Sequence, residues 1–234
     1  MKPSSRPVRT PSKLSAALHH QLNGYTLAAS AAGVGVLALA NAAEAKIIYT
    51  PAHIVIGENE QYNLAVNNKT TDFVIYNHQC LEGPSCNSTN LAYLRVWPAT
   101  KSNGAVASSG GWAAALRRGE PISKKRTFGG YGFMVTEWVP LYGTIHSGTF
   151  GPWANVSKRY LGLKFKIKGK YHYGWARFNV GVPYRQFVIN AVVTGYAYET
   201  IPNKAIIAGK TKGPDVVKMP LDAGTLGRLA LGRK

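Results

Sequence analysis

Residues 160–180 read YLGLKFKIKGKYHYGWARFNV, and the alternation within them decides the fold class. Leu161, Leu163, Phe165 and Ile167 alternate with Lys164, Lys166 and Lys168, a period of two that gives an extended strand one apolar face and one lysine-bearing face in water. Lys168-Gly169 is a turn signal. Residues 171–180 then return as a second strand, with Tyr171, Tyr173, Trp175 and Arg177 on one face and His172, Gly174, Ala176, Phe178 and Val180 on the other. Both faces of that partner carry apolar groups, so both are expected to be partly covered.

Working outward, the same signature recurs in KIIYT, HIVI, YNLAV, DFVIY, LAYLRVW, YGFMVTEW and FVINAVVTGYAYE. Each is a short run of β-branched and aromatic residues bounded by Gly, Pro or Asn. Only WAAALRR, residues 112–118, has the composition of a short helix, closed by Gly119 with Pro121 soon after. Many short strands with turns between them predict an all-β chain, an antiparallel β-sandwich or jelly roll ahead of a closed barrel.

The first 45 residues have the layout of an export signal. A basic stretch runs through Lys13, an apolar run occupies residues 25–40 (YTLAASAAGVGVLALA), and Ala43-Glu44-Ala45 precedes Lys46. Small residues at the first and third positions before the cut suit the signal peptidase pocket, so cleavage after Ala45 is expected. An uncleaved anchor is the alternative, since so short a run of Ala and Gly is marginal for spanning a bilayer. The expected organisation is a signal at 1–45, one β-sandwich domain at 46–208 and a C-terminal tail at 209–234, with the product in the periplasm or outside the cell.

The chain has 234 residues and a net charge of +18. The first 45 hold four basic residues (Lys2, Arg6, Arg9, Lys13) and one acid (Glu44), so the rest keeps +15. Such a surface attracts polyanions of any kind, because the long-range field does not distinguish which anion supplies the charge. Anionic polysaccharide and the cell-envelope surface are the expected partners. Nucleic acid ranks below them, since no RNP-like motif or recognition helix accompanies the lysines. The plainer reading is that excess lysine only keeps an exported protein soluble.

Cys80 and Cys86 flank LEGPS, where Gly-Pro marks a turn, and in an exported chain a disulfide is the natural expectation. So short a closed loop would contribute only about 2 kcal/mol and would staple a local excursion.

The run at 160–180, followed by GYAYETIPNKAIIAGK at 195–210, resembles a family of exported bacterial proteins. In that family an LGlrF…hYGWar hairpin precedes an aYe..pg..I.aG strand, and some members carry a PEP-CTERM sorting tail. The resemblance implies export and a β-rich fold and brings no catalytic residues. This chain shows neither a Pro-Glu-Pro box nor a terminal apolar span. LAVNNKTTDFVI, residues 64–75, resembles a segment that in related exported proteins is an acidic calcium loop. Here Ala65, Asn67, Lys69, Thr70 and Asp72 stand at the matching positions, and a lysine in place of a carboxylate repels a hard cation, so a plain hairpin loop is expected.

No HExxH, nucleophile elbow, Walker loop or dinucleotide fingerprint occurs, and no metal or cofactor is expected. The best enzymatic pair is Glu137 in VTEWVP with Glu199 in AYETIP, each beside an aromatic, the arrangement a sandwich-fold glycoside hydrolase would use. Against it, both carboxylates can serve as strand-end charges paired with lysine. His172 and Arg177 fall on opposite strand faces, and His146 reads as a loop residue. A binding function has more support. Lys164, Lys166, Lys168 and Lys170 could meet acidic groups on a glycan while Tyr173 or Trp175 stacks against sugar rings, with Tyr171, Trp138 and Trp153 completing a platform. The competing use of these aromatics is to fill the core.

Overall fold

The computed structural model describes residues 46–67, 69–81, 89–130, 132–140, 148–183 and 186–219. Chain contacts separate two units, Met1–Glu44 and Ala45–Lys234, and only the second is described. The expected signal segment and the end of the tail therefore lie outside the described residues.

Fourteen strands form the described part: β1 (Ile47–Ile56), β2 (Glu60–Leu64), β3 (Phe73–Cys80), β4 (Thr89–Pro98), β5 (Gly104–Val106), β6 (Pro121–Ile122), β7 (Phe128–Gly129), β8 (Gly132–Pro140), β9 (Gly148–Phe150), β10 (Val156–Ile167), β11 (Lys170–Gly181), β12 (Asn190–Glu199), β13 (Ile206–Ile207) and β14 (Val216–Lys218). Seven of them make one sheet in the order β14-β1-β12-β11-β10-β5-β7, five make a second in the order β2-β3-β4-β8-β9, and β6 pairs with β13. All ladders are antiparallel except β1 with β14. The all-β expectation holds, and the two large sheets pack as a sandwich.

Register shows why. Leu161, Leu163 and Phe165 on β10 stand opposite Ala176, Gly174 and His172 on β11, so this row shares one face. It packs onto Phe73, Ile75, Leu94, Val96 and Val135 of the five-stranded sheet in a single buried cluster, and Phe73 meets Phe165 edge to face at 6.5 Å. The turn between β10 and β11 has Lys168 at φ 48° and Gly169 at φ 78°. Two successive positive φ values are what a tight right-twisting hairpin turn requires. Gly174 is fixed by packing: a Cβ there would sit 2.6 Å from the Ala197 carbonyl oxygen, a backbone atom that cannot swing away. Gly174→Ala is therefore expected to cost about 1–3 kcal/mol by overpacking, read as a lowered midpoint in thermal or urea unfolding.

The opposite face of the seven-stranded sheet carries a second, smaller core. Tyr49, Tyr160, Tyr173, Trp175, Val106 and Ala197 are buried there under Leu116, Ile122, Ile206 and Ala208. The cover includes residues 112–118, the stretch expected to be helical. It is extended instead: Ala113 N–H donates to Phe133 O, Ala114 N–H to Val106 O, and Leu116 exchanges both backbone bonds with Tyr160. Three different strand segments satisfy its amides, and a helix would have left the sheet face bare. Tertiary pairing overrides local propensity here. The fit is close, since a Cβ on Gly162 would lie 2.5 Å from Val106 Cγ2 and 3.0 Å from Leu116 Cδ1.

The segment resembling a calcium loop joins β2 to β3 as a hairpin connection. The Asp72 carboxylate accepts the Val66 N–H at 2.9 Å and also bonds the Asn67 backbone, so it is turned toward its own loop.

Candidate binding surface

The cover over the second core stops short of the β10–β11 turn, and that limit positions the lysines. Gly162 is buried beneath Leu116, while two residues further along the same face Lys164 is half-buried and Lys166 is exposed. Lys168 does not continue the strand alternation, because β10 ends at Ile167 and Lys168 occupies the turn. Lys170 opens β11, and Lys168 and Lys170 are both exposed. The hairpin tip thus projects four cations from a rigid ladder.

What holds Lys164 and Lys166 is aromatic. The Lys164 ammonium lies 5.0 Å from the Phe128 ring centre and 5.1 Å from that of Tyr171, and Lys166 lies 5.0 Å from Tyr171. Such contacts orient an ammonium without neutralising it. Among the described residues the ion pairs are Arg126 with Glu120, Lys204 with Glu199 and Lys210 with Asp215. None of the four tip lysines has a carboxylate partner there.

Two expected members of the site are displaced from it. Trp175 is fully buried and Tyr173 is 2% exposed. Trp175 is wedged between Tyr49, 5.8 Å away, and Tyr160, perpendicular at 5.3 Å. Tyr173 stacks on Phe128 at 5.8 Å, and burial raises its phenol above the ordinary range. Neither ring can face a ligand, because the cover formed by residues distant in sequence closes over both. Trp153 is likewise buried, its indole N–H donating to Ala113 O at 2.8 Å. Tyr171, half-buried beside Lys164 and Lys166, remains at the tip, and Phe128 joins it. Phe128 carried no sequence signal, since it comes from β7, a two-residue strand brought alongside by β5.

The carboxylates Glu137 and Glu199 are not brought together. Glu137 points into the sandwich from β8, accepting the Phe187 N–H at 2.9 Å, and is 3% exposed. Glu199 stands in register with Ile47 on the far face of the seven-stranded sheet. It is 1% exposed, accepts the Ile201 N–H and pairs with Lys204 at 3.4 Å. A whole sheet separates the two, so no cleft can hold a sugar between them. His172 Nδ1 lies 2.9 Å from Glu199 O, and Arg177 is committed to Thr194 through Nε and Nη2.

No family model, curated protein or solved structure matches the chain. The functional reading rests on geometry. Among the described residues, no helix is long and apolar enough to cross a membrane, and no group of three or more His, Cys, Asp or Glu is placed to hold a metal ion. Cys80 closes β3, while Cys86 and His146 lie outside the described residues.

Proposed function

We propose that the protein is an exported, non-enzymatic binding protein of the cell exterior that holds an anionic glycan or envelope surface on the basic tip of its β10–β11 hairpin. The observation that carries this reading is the set of Lys164, Lys166, Lys168 and Lys170 on one rigid hairpin, without carboxylate partners among the described residues and braced by Tyr171 and Phe128. Cations already neutralised by internal ion pairs would offer little to a polyanion. Lys164 and Lys166 are oriented instead by ring faces, which leaves their charge available. Export, the 1–45 signal and a Cys80–Cys86 disulfide belong to the same proposal, supported by the layout of the first 45 residues and by the short spacing of the two cysteines.

The test is binding of purified protein to polygalacturonate, lipopolysaccharide and DNA across a salt series. Replacing the four lysines together by glutamine should weaken polygalacturonate binding and lower the slope of log affinity against log salt by about one per lysine engaged. An unchanged slope would remove the tip from the proposal. Equal loss for all three polyanions would mean that the surface charge attracts without selecting.

A further inference from the structure

Strand β10 is flanked by β11 on one side, and on the other β5 pairs with it at Leu163 and Lys164, opposite Ala105 and Gly104. Further toward the tip the main chain of β5 has turned away, and a strand edge left there would carry unpaired amides. At Lys166 a side chain takes the place of the missing strand. The Lys166 N–H donates to Asn103 Oδ1 at 3.3 Å, and Asn103 Nδ2 donates in turn to the Asp72 carbonyl oxygen at 3.2 Å. Asn103 is 6% exposed. One of its partners is a donor and the other an acceptor, so a single orientation of the amide serves both.

Asn103 thereby adds a rung to the ladder and fixes a turn beside it. The connection from β4 to β5 is drawn tight by the Asn103 N–H, which donates to Thr100 O at 3.1 Å, and its start is held by the Ala99 N–H, which donates to the same Asp72 carbonyl at 2.9 Å. Residues 99–103 are thus anchored at both ends on Asp72, immediately before β3 of the five-stranded sheet, and clipped to Lys166 of the seven-stranded one. Lys101 stands in the middle of this turn. It is exposed, and none of the ion pairs among the described residues includes it.

We infer, on the reading of the tip as an anion-binding surface, that turn 99–103 is its second wall, with Lys101 as a further contact for the anion and Asn103 as the positioning residue that keeps wall and hairpin in register. Tyr171 on β11 stands opposite Lys166 on β10, and the turn lies on the β5 side. These are three successive strand positions, so the strip they border runs across the strands for about 10 Å, two inter-strand spacings. A single carboxylate meets only part of such a strip. The occupant it fits is a linear polyuronate, whose carboxylates recur along the chain, laid across the hairpin. The Thr100 and Ser102 hydroxyls, 3.1 Å apart, offer donors and acceptors to its sugar hydroxyls.

Purified protein is titrated with hexagalacturonate and with monomeric galacturonate across a salt series, following heat. The hexamer should bind saturably, and the monomer about tenfold or more weakly, since it forgoes the remaining charged contacts. Lys101→Gln, a change to an exposed side chain, should weaken hexamer binding and lower the slope of log affinity against log salt by about one. Asn103→Ala removes no charge. It should leave that slope unchanged while weakening binding about two- to tenfold, the effect of having to order a loosened wall on binding. Hydrogen exchange reads the brace itself: the Lys166 amide should exchange about tenfold faster in Asn103→Ala while the amides of Leu161 and Ala176 keep the parent's rates. Thermal melts establish that each variant is folded, and if Asn103→Ala does not fold, Lys101→Gln and the ratio of hexamer to monomer affinity decide. Hexamer binding that is lost in the four-lysine variant yet unchanged in Lys101→Gln would overturn the second wall and leave the hairpin as the whole site. Folded Asn103→Ala with the parent's affinity and the parent's exchange at Lys166 would overturn the positioning role. Equal affinity for monomer and hexamer would overturn the polyuronate as occupant. No saturable binding of the hexamer would overturn the reading of the tip and the wall with it.

Discussion

Replacing Trp175 by alanine is expected to lower the unfolding free energy by about 3–5 kcal/mol, the range for emptying a fully buried large aromatic site. In a domain of this size that corresponds to a fall in melting temperature of roughly 10 °C. The cost is high because the ring joins two structural layers. On one side it rests on the seven-stranded sheet between Tyr49 and Tyr160, and on the other it shares a cluster with Leu116, Ile122 and Ile206 of the cover. Those cover residues come from short extended segments that have little else to bury against. Trp175→Phe separates packing from polarity. The indole N–H is buried without a hydrogen-bond partner among the described residues, and an unsatisfied donor costs stability that phenylalanine would recover. The phenylalanine variant should therefore lose much less than the alanine variant in urea or thermal unfolding. It should also bind polygalacturonate as the parent does. Loss of binding in folded Trp175→Phe would restore a ligand-facing role to this residue.

That contrast marks where the sequence was legible. Leu161, Leu163 and Phe165 alternate with lysine so cleanly that strand, face and register follow from spacing, and Lys168-Gly169 fixes the turn through the two positive φ values it must supply. The burial of Tyr173 and Trp175 could not be read in the same way. It depends on residues near 116, 122 and 206 lying across them, and a period of two reports which side chains share a face without reporting what covers that face. The same limit misassigned WAAALRR, whose amides are satisfied by Val106, Phe133 and Tyr160 rather than by its own carbonyls.

The outward aromatic row of β3 and β4, where Tyr76 stands in register with Arg95 and His78 with Tyr93, was obscured for a different reason. In β3 and β4 both alternating sets are apolar or aromatic: Phe73 and Ile75 with Leu94 and Val96 inward, Tyr76 with Tyr93 and Trp97 outward. Without a polar set the pattern does not reveal which face meets water. Spacing of Tyr93, Arg95 and Trp97 at every second residue was the available signal, and it becomes informative only when Tyr76 and His78 are known to lie alongside. The carboxylate pair failed on topology, since Glu137 and Glu199 belong to different sheets and face different layers.

Asp72 gives the protein a pH dependence that runs against the usual acid sensitivity. Its carboxyl is pushed up to about 6, chiefly by burial, although hydrogen bonds from the Val66 and Asn67 backbone oppose the shift. The folded chain therefore holds a proton on Asp72 where the unfolded chain, with an ordinary value near 3.8, has lost it. Stability rises with pH only where the unfolded state binds more protons; here the folded state does. The contribution of Asp72 is thus fully present below about pH 4 and is lost as pH rises through about 6. A shift of that size amounts to a loss on the order of 3 kcal/mol between pH 4 and 7. His78 acts in the opposite sense, because burial and then the Arg95 charge hold its imidazole below the ordinary value, so its protonation penalises the folded state as pH falls. Overall stability mixes the two, and the difference between parent and Asp72→Asn isolates the first. Asparagine keeps an acceptor for the Val66 N–H while removing the ionisation, and its extra donor adds only an offset that does not vary with pH. Urea unfolding from pH 4 to 7.5 should show the parent losing stability relative to Asp72→Asn, with most of the change between pH 4 and 6.5. A difference curve that is flat, or that rises with pH, would mean that the carboxylate is charged and stabilised in place. The loop between β2 and β3 would then have to supply more compensation than the two backbone donors that reach it.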